Sequence, residues 1–312
     1  MYKNSKIWVA GHRGMVGSAI VRQLEKEGYT NILRRTHSEL DLTEQDSVRY
    51  FLELERPEYV FLCAAKVGGI KANKDYKADF IWENLMIQSN IIKYSHQYGV
   101  KKLLFLGSSC IYPKMAPQPL KEEYLLSGYL EETNDAYAIA KIAGIKMCQS
   151  FNSQFGTDFI SVMPSNLYGV GDNYHPENSH VFPALIRKFH EAKLNGLDSI
   201  EIWGDGSPLR EFLFADDLAE ASLFLMRGDF EGDLFNIGYG SDLTILELAK
   251  LIGSIVYPEC SIGVRGNVDM NGTPKKLLDV SKINSLGWKA KTSLEEGIRI
   301  AYSDFISRHH AS

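Results

Sequence analysis

Three glycines with the spacing Gly11-x-x-Gly14-x-x-Gly17 constrain the fold of this chain more than any other feature. They follow an apolar run at 7–10, which predicts a buried strand, and they open a segment at 15–28 whose apolar spacing predicts an amphipathic helix. Glycines at such a turn let the backbone approach a pyrophosphate at the helix N-terminus. The motif therefore predicts a dinucleotide site, and a purely structural tight turn is the alternative.

Strand-like and helix-like segments alternate through the first half of the chain. The predicted strands are 6–10, 32–33, 59–64, 102–106 and 158–163, and the predicted helices are 15–28, one that begins near 43, 79–98 and 135–155. The helix near 43 is predicted from Thr43-Glu-Gln-Asp46, which resembles a capping box with Asp in place of Glu. This alternation predicts an α/β fold built on a doubly wound parallel sheet with right-handed crossovers.

The alternation breaks after Pro164. A polar loop at 169–179 precedes predicted helices at 180–192 and 216–226 and predicted strands at 199–203 and 211–214, and the segment 238–289 is mixed. We therefore predict a dinucleotide-binding domain of residues 1–167, to which 212–237 return. We predict that 168–211 and 238–312 form a smaller, mixed α/β C-terminal domain that binds the substrate at the carboxyl edge of the sheet.

Composition excludes several functional classes. A net charge of -5 over 312 residues gives no support for nucleic-acid binding, which usually needs a basic patch. Since no stretch approaches the roughly 18 apolar residues of a membrane helix, and no secretory signal is recognised, we predict a cytoplasmic protein without a membrane partner. The four cysteines lack metal-like spacing, so free thiols and no metal site are expected. The lysine pairs at 101–102 and 275–276 are interpreted as solvated surface.

The end of the second predicted strand indicates which dinucleotide binds. NAD-binding proteins usually place an acidic residue there to hold a ribose hydroxyl, whereas this chain has Arg34, Arg35 and His37. Arg13 also lies within the glycine loop. Because arginine forms charge-assisted bonds with phosphate oxygens, these cations favour the 2′-phosphate of NADPH. The alternative is that the arginines only face solvent.

A tyrosine and a lysine suggest carbonyl chemistry. Tyr137 and Lys141 lie four residues apart in a predicted helix and so share one face. A nearby ammonium favours the phenolate and lowers the pKa of a tyrosine, so that the phenol can donate a proton to a carbonyl oxygen. Ser108 or Ser109, at the end of the fourth strand, can bond the same oxygen. The same spacing also begins at residues 2 and 98, so a surface pair is the alternative.

Six blocks of sequence closely resemble the GDP-L-fucose synthase family of extended short-chain dehydrogenase/reductases. They are Gly11-His-Arg-Gly-Met-Val-Gly-Ser18, Ala64-Ala-Lys-Val-Gly-Gly-Ile70, Leu106-Gly-Ser-Ser-Cys-Ile-Tyr-Pro113, Tyr137-Ala-Ile-Ala-Lys-Ile-Ala-Gly144, Asn178-Ser-His180 and Arg210-Glu-Phe212. The resemblance covers nearly the whole chain. It implies a Rossmann-type fold, NADPH as cofactor, a small-molecule GDP-sugar as substrate, and a homodimer formed through the two long helices near 79–98 and 135–155.

The resemblance also implies a reaction. Members of the family convert GDP-4-keto-6-deoxy-D-mannose to GDP-L-fucose by epimerising C3 and C5 and then reducing the C4 ketone. By resemblance Cys110 is the base and His180 the acid, Tyr137 and Ser108 polarise the ketone, and Lys141 tunes Tyr137 and holds the nicotinamide ribose. We expect a neighbouring imidazolium to favour the Cys110 thiolate. The alternatives are a small buried Cys110 and a His180 that only starts a helix or packs in the core.

The remaining contacts are assigned by resemblance. The expected cofactor-binding residues are Gly11, His12, Arg13, Gly14, Met15, Val16, Gly17, Arg35, His37, Leu106, Gly107, Ser108, Ser109, Lys141, Pro164, Ser165, Asn166, Leu167 and His180. The expected substrate-binding residues are Lys188, Trp203, Arg210 and Asn271, and a core position is the alternative for Trp203. The chain departs from the family at Asn271, where Asp is usual, and at His37, where Arg is usual. These departures affect the choice of substrate and the strength of the NADPH preference.

Other functions stay open at this point. A related enzyme would reduce a different GDP-4-keto sugar, such as a heptose, with or without epimerising it. Another would epimerise its substrate and regenerate its own cofactor. A non-catalytic, cofactor-sensing protein can share the same fold, because fold does not fix function.

Overall fold

The fold is described from a computed structural model, which describes residues 1–176, 178–230, 232–266 and 273–309. The strands are β1 Ile7–Ala10, β2 Ile32–Leu33, β3 Tyr59–Leu62, β4 Lys102–Leu106, β5 Asp158–Pro164, β6 Asn166–Tyr168, β7 Ser199–Trp203, β8 Leu209–Arg210, β9 Phe212–Phe214, β10 Leu234–Ile237, β11 Leu243–Thr244, β12 Ser261–Arg265 and β13 Lys275–Lys276. The helices are α1 Met15–Lys26, α2 Gln45–Glu55, α3 Ile70–Asp75, α4 Lys77–Gln97, α5 Asp135–Phe155, α6 Val181–Asn195, α7 Ala215–Arg227, α8 Ile245–Val256, α9 Ser281–Ser285 and α10 Leu294–His309. Short 3-10 helices lie at Ser109–Ile111 and Glu122–Tyr124.

A six-stranded parallel sheet with the order β10-β5-β4-β3-β1-β2 forms the centre of the fold. The chain runs from β1 outward to β2 and then crosses back to β3 on the other side of β1. In sheets of this kind ligands bind at the carboxyl ends of the strands where the strand order reverses, here β1 and β3. The doubly wound parallel sheet predicted from the sequence is confirmed.

Side chains on the two faces of the sheet enter two separate hydrophobic clusters. Ile7 and Val9 of β1 pack with α1 and α7, whereas Trp8 lies in the cluster that takes in residues of α2, α4 and α5. This alternation follows from the period of two in a strand, and burial on both faces explains why the central strands are apolar throughout. Burying one large apolar side chain contributes roughly 1.5–3 kcal/mol, so these clusters hold the sheet and its helices together.

The second half of the chain builds a third cluster but also returns to the sheet. Helices α6 and α8 pack on each other, and Phe189 and Ile252 lie in a cluster with residues of β7, β9 and α10. Strand β10 pairs with β5, helix α7 packs on α1, and Trp288 lies in the same cluster as β1. The domain boundaries given above stay a prediction.

Two local predictions are wrong. Helix α2 begins at Gln45 with Glu44 as its N-cap, and it has no capping box. The amide N and Oγ1 of Thr43 both donate to Asp41 Oδ1, at 2.9 and 2.7 Å, so the threonine closes a turn before the helix. Lys102 is not at the surface: only 6% of the residue is exposed, and its ammonium pairs with Asp158 at 3.0 Å.

None of the described helices is long and apolar enough to cross a membrane.

Candidate active site

The glycine loop packs too closely against neighbouring backbone to accept side chains at Gly11 and Gly17. Gly11 has φ +86°, and a Cβ there would lie 2.7 Å from the amide nitrogen of Ala64 at the end of β3. A Cβ on Gly17 would collide with the carbonyl oxygen of Gly11. Gly14 is the N-cap of α1 and brings no side chain to the helix N-terminus. The first N–H groups of the helix therefore suit a bound pyrophosphate.

Cations surround the far end of this loop. Arg34 pairs with Glu25, and Arg35 pairs with Glu55 at 2.8 Å. Arg13 is exposed and makes no ion pair within the described part of the chain. Arg13 can thus bind a phosphate without first breaking an ion pair with a carboxylate, unlike Arg34 and Arg35.

The two histidines of this region differ in their surroundings. Burial, and then the charges of Arg13 and Arg34, lower the pKa of His12, which favours its neutral form. His37 is exposed, and its Nε2 lies 3.9 Å from Asp41 Oδ2. The exposed His37 is therefore a weaker phosphate ligand than the Arg usual in the family.

The structure brings together four of the predicted catalytic residues at the carboxyl end of β4. Ser108 Oγ accepts a hydrogen bond from the amide of Cys110 at 3.4 Å, and the Ser108 side chain acts on the Tyr137 phenol, whose pKa it lowers. The ammonium of Lys141 lies 5.8 Å from the centre of the Tyr137 ring and donates to the carbonyl oxygen of Leu106 at 2.8 Å. Helix α5 presents Tyr137 and Lys141 on one face, as predicted.

Burial sets the protonation of this pair. It raises the pKa of Tyr137 above its usual value, and the hydrogen bond with Ser108 only partly opposes this. The lowered pKa expected from the sequence is therefore not found in the structure. Burial also lowers the pKa of Lys141 to about 8, against the influence of Cys110 and Cys63. At neutral pH Tyr137 is a protonated phenol that can donate its proton, and Lys141 is an ammonium.

Cys110 has a cationic neighbour that sequence reasoning missed. Burial raises the pKa of its thiol, and Lys276 opposes this most strongly, followed by the Ser108 hydrogen bond and Lys141. Lys276 of β13 pairs in register with Arg210 of β8 and is only partly exposed. The interpretation of residues 275–276 as solvated surface is therefore wrong for Lys276. A strand of two residues leaves no periodic signal that would have revealed it.

His180 is the N-cap of α6 and is exposed to solvent. The protein packed around its ring lowers the pKa of its imidazole, which is therefore neutral at neutral pH. The loop after β3 packs against the segment that precedes His180, since a Cβ on Gly69 would lie 3.4 Å from the carbonyl oxygen of Ser179. Asn84 fixes the same loop by exchanging two 3.0 Å hydrogen bonds with the backbone of Lys66. Within the described residues, no hydrogen bond joins His180 to Cys110.

The other expected cofactor residues line the ends of β4 and β5. The amide of Gly107 donates to the carbonyl oxygen of Val162 at 2.8 Å, and that of Ser165 to Ile237 at 3.0 Å. Ser165 Oγ is buried and has no partner among the described residues. Asn166 bonds the Glu211 carbonyl oxygen through Nδ2 at 2.8 Å. The remaining members are placed on adjoining backbone: Met15 and Val16 open α1, Leu106 ends β4, Ser109 opens a 3-10 helix, Pro164 ends β5, and Leu167 lies in β6.

Glu211 is a second residue that the sequence analysis did not single out. It is wholly buried, and its carboxylate accepts from the amides of Gly240 at 2.7 Å and Leu278 at 3.0 Å. Burial raises the pKa of this carboxyl to about 7. Glu211 thereby joins the segments that carry Arg210, the 238–240 turn and the residues after β13. Its signal in the sequence was an acidic residue directly before the apolar run at 212–214.

The expected substrate residues lie on α6, β7 and β8. Lys188 donates to the carbonyl oxygen of Glu201 at 2.9 Å, and its ammonium lies 5.8 Å from the Trp203 ring. Trp203 is 73% exposed, which excludes the core alternative. Arg210 is partly buried, and burial lowers the pKa of its guanidinium. Asn271 lies outside the described residues.

This arrangement can carry out acid–base chemistry beside a carbonyl group. Ser108 and Tyr137 present two hydroxyls that can bond one oxygen, and the Cys110 thiol lies next to them. Within the described ranges, no group of three or more His, Cys, Asp or Glu side chains is placed to hold a metal ion. The protein groups that can polarise the oxygen are thus hydroxyls and nearby ammonium groups.

The chain is similar to known proteins along almost its whole length. The NAD dependent epimerase/dehydratase family matches residues 7–238. The chain is 57% identical to GDP-L-fucose synthase 1 of Arabidopsis thaliana over 97% of this chain and 94% of that protein. It is 51% identical to the GDP-L-fucose synthase of Escherichia coli (strain K12) over 96% of each. A solved GDP-mannoheptose C4 reductase from Campylobacter jejuni with NADP bound is 43% identical, with a TM-score of 0.90 over 98% of this chain and 99% of that one.

Proposed function

Because this chain belongs to the NAD dependent epimerase/dehydratase family, we propose that it converts GDP-4-keto-6-deoxy-D-mannose to GDP-L-fucose with NADPH. The observation that carries the proposal is the position of Cys110, whose amide bonds the Ser108 hydroxyl and which acts, with Ser108, on the Tyr137 phenol. A reductase needs only the serine, tyrosine and lysine. A thiol beside the carbonyl site supplies the base that an epimerase requires. The identity of 57% and 51% to proteins named GDP-L-fucose synthase supports the same substrate.

The residues of the glycine loop fit the cofactor. Gly11 and Gly17 permit the close backbone packing that shapes the loop, Gly14 leaves the N-terminus of α1 open, and Arg13 and Arg35 suit the 2′-phosphate. When bound, NADPH supplies the hydride that reduces the C4 ketone. Similarity to a reductase with NADP bound supports this choice.

The first half of the reaction is proton transfer at the carbons beside the ketone. Ser108 and Tyr137 donate hydrogen bonds to the ketone oxygen, which acidifies the protons on C3 and C5. The Cys110 thiolate takes one of these protons: the C–H bond breaks, an S–H bond forms, and the electron pair moves into an enolate. His180, after taking up a proton from the solvent, returns it to the opposite face, so the configuration inverts. Cys110 then loses its proton to the solvent and His180 gains a new one, and the same pair acts on the second carbon.

The second half uses the phenol as an acid. Since burial keeps Tyr137 protonated at neutral pH, it can give its proton to the C4 oxygen as the ketone becomes an alcohol. Lys141, an ammonium below about pH 8, stabilises the phenolate that remains. Its bond to the Leu106 carbonyl holds the ammonium at the end of β4.

The nucleotide end of the substrate fits the cations and the indole on the other side of the site. Arg210 and Lys188 suit the diphosphate, because charged donors bind phosphate oxygens well. The exposed face of Trp203 can cover a sugar or a base.

A second candidate is the reduction of another GDP-4-keto sugar, such as a heptose. The similarity to a GDP-mannoheptose C4 reductase favours it, as does Asn271 in place of the usual Asp. The Cys110 cluster favours the epimerase, because reduction alone has no need of the thiol.

A product assay tests the proposal. The protein is incubated with GDP-4-keto-6-deoxy-D-mannose and NADPH in D₂O, and the product is identified by NMR. GDP-L-fucose with deuterium at C3 and C5 is the expected product. Reduced sugar without deuterium would instead identify a plain reductase, and no turnover would direct the assay to a GDP-4-keto heptose. Cys110→Ser should lose the deuterium at both carbons.

We also propose that the protein is a homodimer in the cytoplasm. Helices α4 and α5 pack on each other, and Trp82 and Ile139 on them are exposed apolar residues that a partner helix pair would cover. Light scattering on a sizing column should give twice the mass of the chain. Trp82→Glu should shift it toward the monomer.

A further inference from the structure

The chemistry described so far leaves one cation beside Cys110 without a role. Lys276 lies on β13, and its register partner on the parallel strand β8 is Arg210. Cys110 and Lys276 line one small cavity of about 10 Å³, together with Glu131 and Thr273. A cavity of this volume holds about one water molecule. Lys276 and Cys110 thus face the same small space, and Lys276 is the charged group that acts most strongly on the thiol.

Charged and polar groups face Cys110 from three elements. Ser108 comes from its own loop, Tyr137 and Lys141 from α5, and Lys276 from β13. Lys141 already donates to the Leu106 carbonyl at 2.8 Å. Of the two lysines, Lys276 acts more strongly in lowering the pKa of the thiol.

The imidazolium expected from the sequence does not take this place. Although His180 is exposed at the surface, the protein atoms around its ring lower the pKa of its imidazole, so the ring is neutral near pH 7. A neutral imidazole gives little stabilisation to an anion. The cations that act on the thiol are the ammonium groups of Lys276 and Lys141.

On the basis of the proposed function, we propose that Lys276 is the positioning residue that stabilises the Cys110 thiolate before it removes the C3 and C5 protons. Lys276 stays an ammonium throughout the step. The substrate C–H bond breaks, the sulfur gains the proton, and the electron pair passes to the ketone oxygen as an enolate. The negative charge thus leaves the sulfur while the cation stays fixed.

Burial has the largest effect on the amine of Lys276 and lowers its pKa below the usual value, as Arg210 also does, whereas Cys110 and Glu131 raise it. Cys110 and Glu131 thus favour the charged form of Lys276 against its burial. The Glu131 carboxylate is held in turn by Lys114 at 2.9 Å and by the Thr273 hydroxyl at 3.4 Å. Glu131 therefore acts on the thiol through Lys276.

The test measures the thiol directly in the free enzyme. The rate at which iodoacetamide alkylates Cys110 is followed against pH by peptide mass spectrometry, because only the thiolate reacts. Lys276→Met should move this profile to higher pH and slow alkylation at neutral pH by about tenfold for each unit of displacement. Lys276→Arg keeps the charge and should keep the profile near that of the wild type.

Lys275→Met is the matched control. It removes the same charge from the adjacent residue, whose ammonium pairs with Asp242 at 3.2 Å. Its Cys110 profile should not move. Melting temperatures identify variants that do not fold, and Lys276→Gln replaces Lys276→Met if that variant fails.

Two results would overturn the inference: a Lys276→Met profile equal to that of the wild type, or a Lys276→Arg profile displaced as far as that of Lys276→Met. Neither depends on the substrate. The D₂O assay of the wild type tests the proposed function separately. If the wild type introduces deuterium, Lys276→Met should introduce less at neutral pH and recover as the pH rises.

Discussion

The buried carboxylate of Glu211 accepts a hydrogen bond from the amide of Leu278 at 3.0 Å, two residues after Lys276. The carbonyl oxygen of Glu211 accepts another from Asn166 Nδ2 at 2.8 Å. Glu211 thus links Asn166, in the stretch expected beside the nicotinamide, to the residues that follow β13. A Cβ on Gly238 would collide with this carboxylate, so the packing around it leaves no spare room.

Glu211→Gln should remove a dependence of the free energy of unfolding on pH. Burial raises the pKa of Glu211 to about 7, whereas an unfolded Glu titrates near about 4.3. Between these values the folded state binds more protons than the unfolded state, so the free energy of unfolding falls as the pH rises from about 4.5 to about 7. The loss is about 3 kcal/mol, and the variant lacks it. Urea unfolding at pH 5 and pH 8 measures the difference.

Glu247→Gln is the control for that experiment. Hydrogen bonds from Thr244 lower the pKa of this exposed carboxyl, so its contribution is present above the unfolded pKa and is lost as the pH falls. Between pH 5 and pH 8 the difference in stability between wild type and this variant should therefore stay nearly constant, and it should shrink only at lower pH. An equal change with pH in both variants would contradict the assignment for Glu211.

Gly11→Ala should destabilise the protein more than Gly28→Ala and should abolish NADPH binding. Both glycines have positive φ, of +86° and +80°, so alanine costs about 1–2 kcal/mol at either position. Only at Gly11 would the new Cβ meet backbone, at 2.7 Å from Ala64, while nothing lies within 4 Å at Gly28. Melting temperatures and NADPH titration of both variants measure this. Equal losses of stability in the two variants would show that the positive φ alone, and not the contact with Ala64, sets the cost of alanine.

Tyr137→Phe should lower kcat for the reduction by about 10²–10⁴-fold, because the phenol is the acid that protonates the C4 oxygen. The cost in stability should be only about 1 kcal/mol, since one hydrogen bond, with Ser108, is lost. Tyr98→Phe is the control, as this tyrosine has the same spacing to a lysine but bonds Glu53 instead. Stopped-flow oxidation of NADPH gives the rate. An unchanged rate in Tyr137→Phe would require another acid.

Arg13→Ala should raise the Kd for NADPH by about tenfold to a hundredfold and leave that for NADH nearly unchanged. The charge-assisted bonds of one guanidinium to the 2′-phosphate contribute about 1.5–3 kcal/mol, and NADH lacks this phosphate. Arg34→Ala removes a cation that is already paired with Glu25 and should have a smaller effect. Fluorescence titration with both dinucleotides provides the measurement. Equal weakening of NADPH and NADH binding would show that Arg13 does not contact the 2′-phosphate.

The regular elements were predictable because each leaves a local signal in the sequence. The bounds of α5, β4 and β7 agree with the predicted ones. β7 alternates buried and exposed residues, whereas β4, after Lys102, is a continuous apolar run of the length of a strand. The order of the glycine loop, Ser108 and Tyr137 along the chain also predicted their meeting, because parallel strands carry their carboxyl ends to one edge.

The contacts that were missed join residues far apart in sequence. Lys276 reaches Cys110 through a strand of two residues, and Glu211 reaches Leu278 across 67 positions. Neither has a local pattern, because a short strand is stabilised by its partner and not by its own composition. The raised pKa of Tyr137 was missed for a related reason: its main cause is burial, and desolvation depends on the whole fold.

The return of Leu234–Ile237 to the sheet has a consequence for synthesis on the ribosome. Strand β5 is made early, yet its outer edge has no partner until β10 emerges, after α6, β7 and α7. During that interval the nascent chain carries an open strand edge that can pair with other chains. A chain interrupted before residue 234 therefore has a lasting tendency to aggregate, whereas one extended past Ile237 closes that edge by itself.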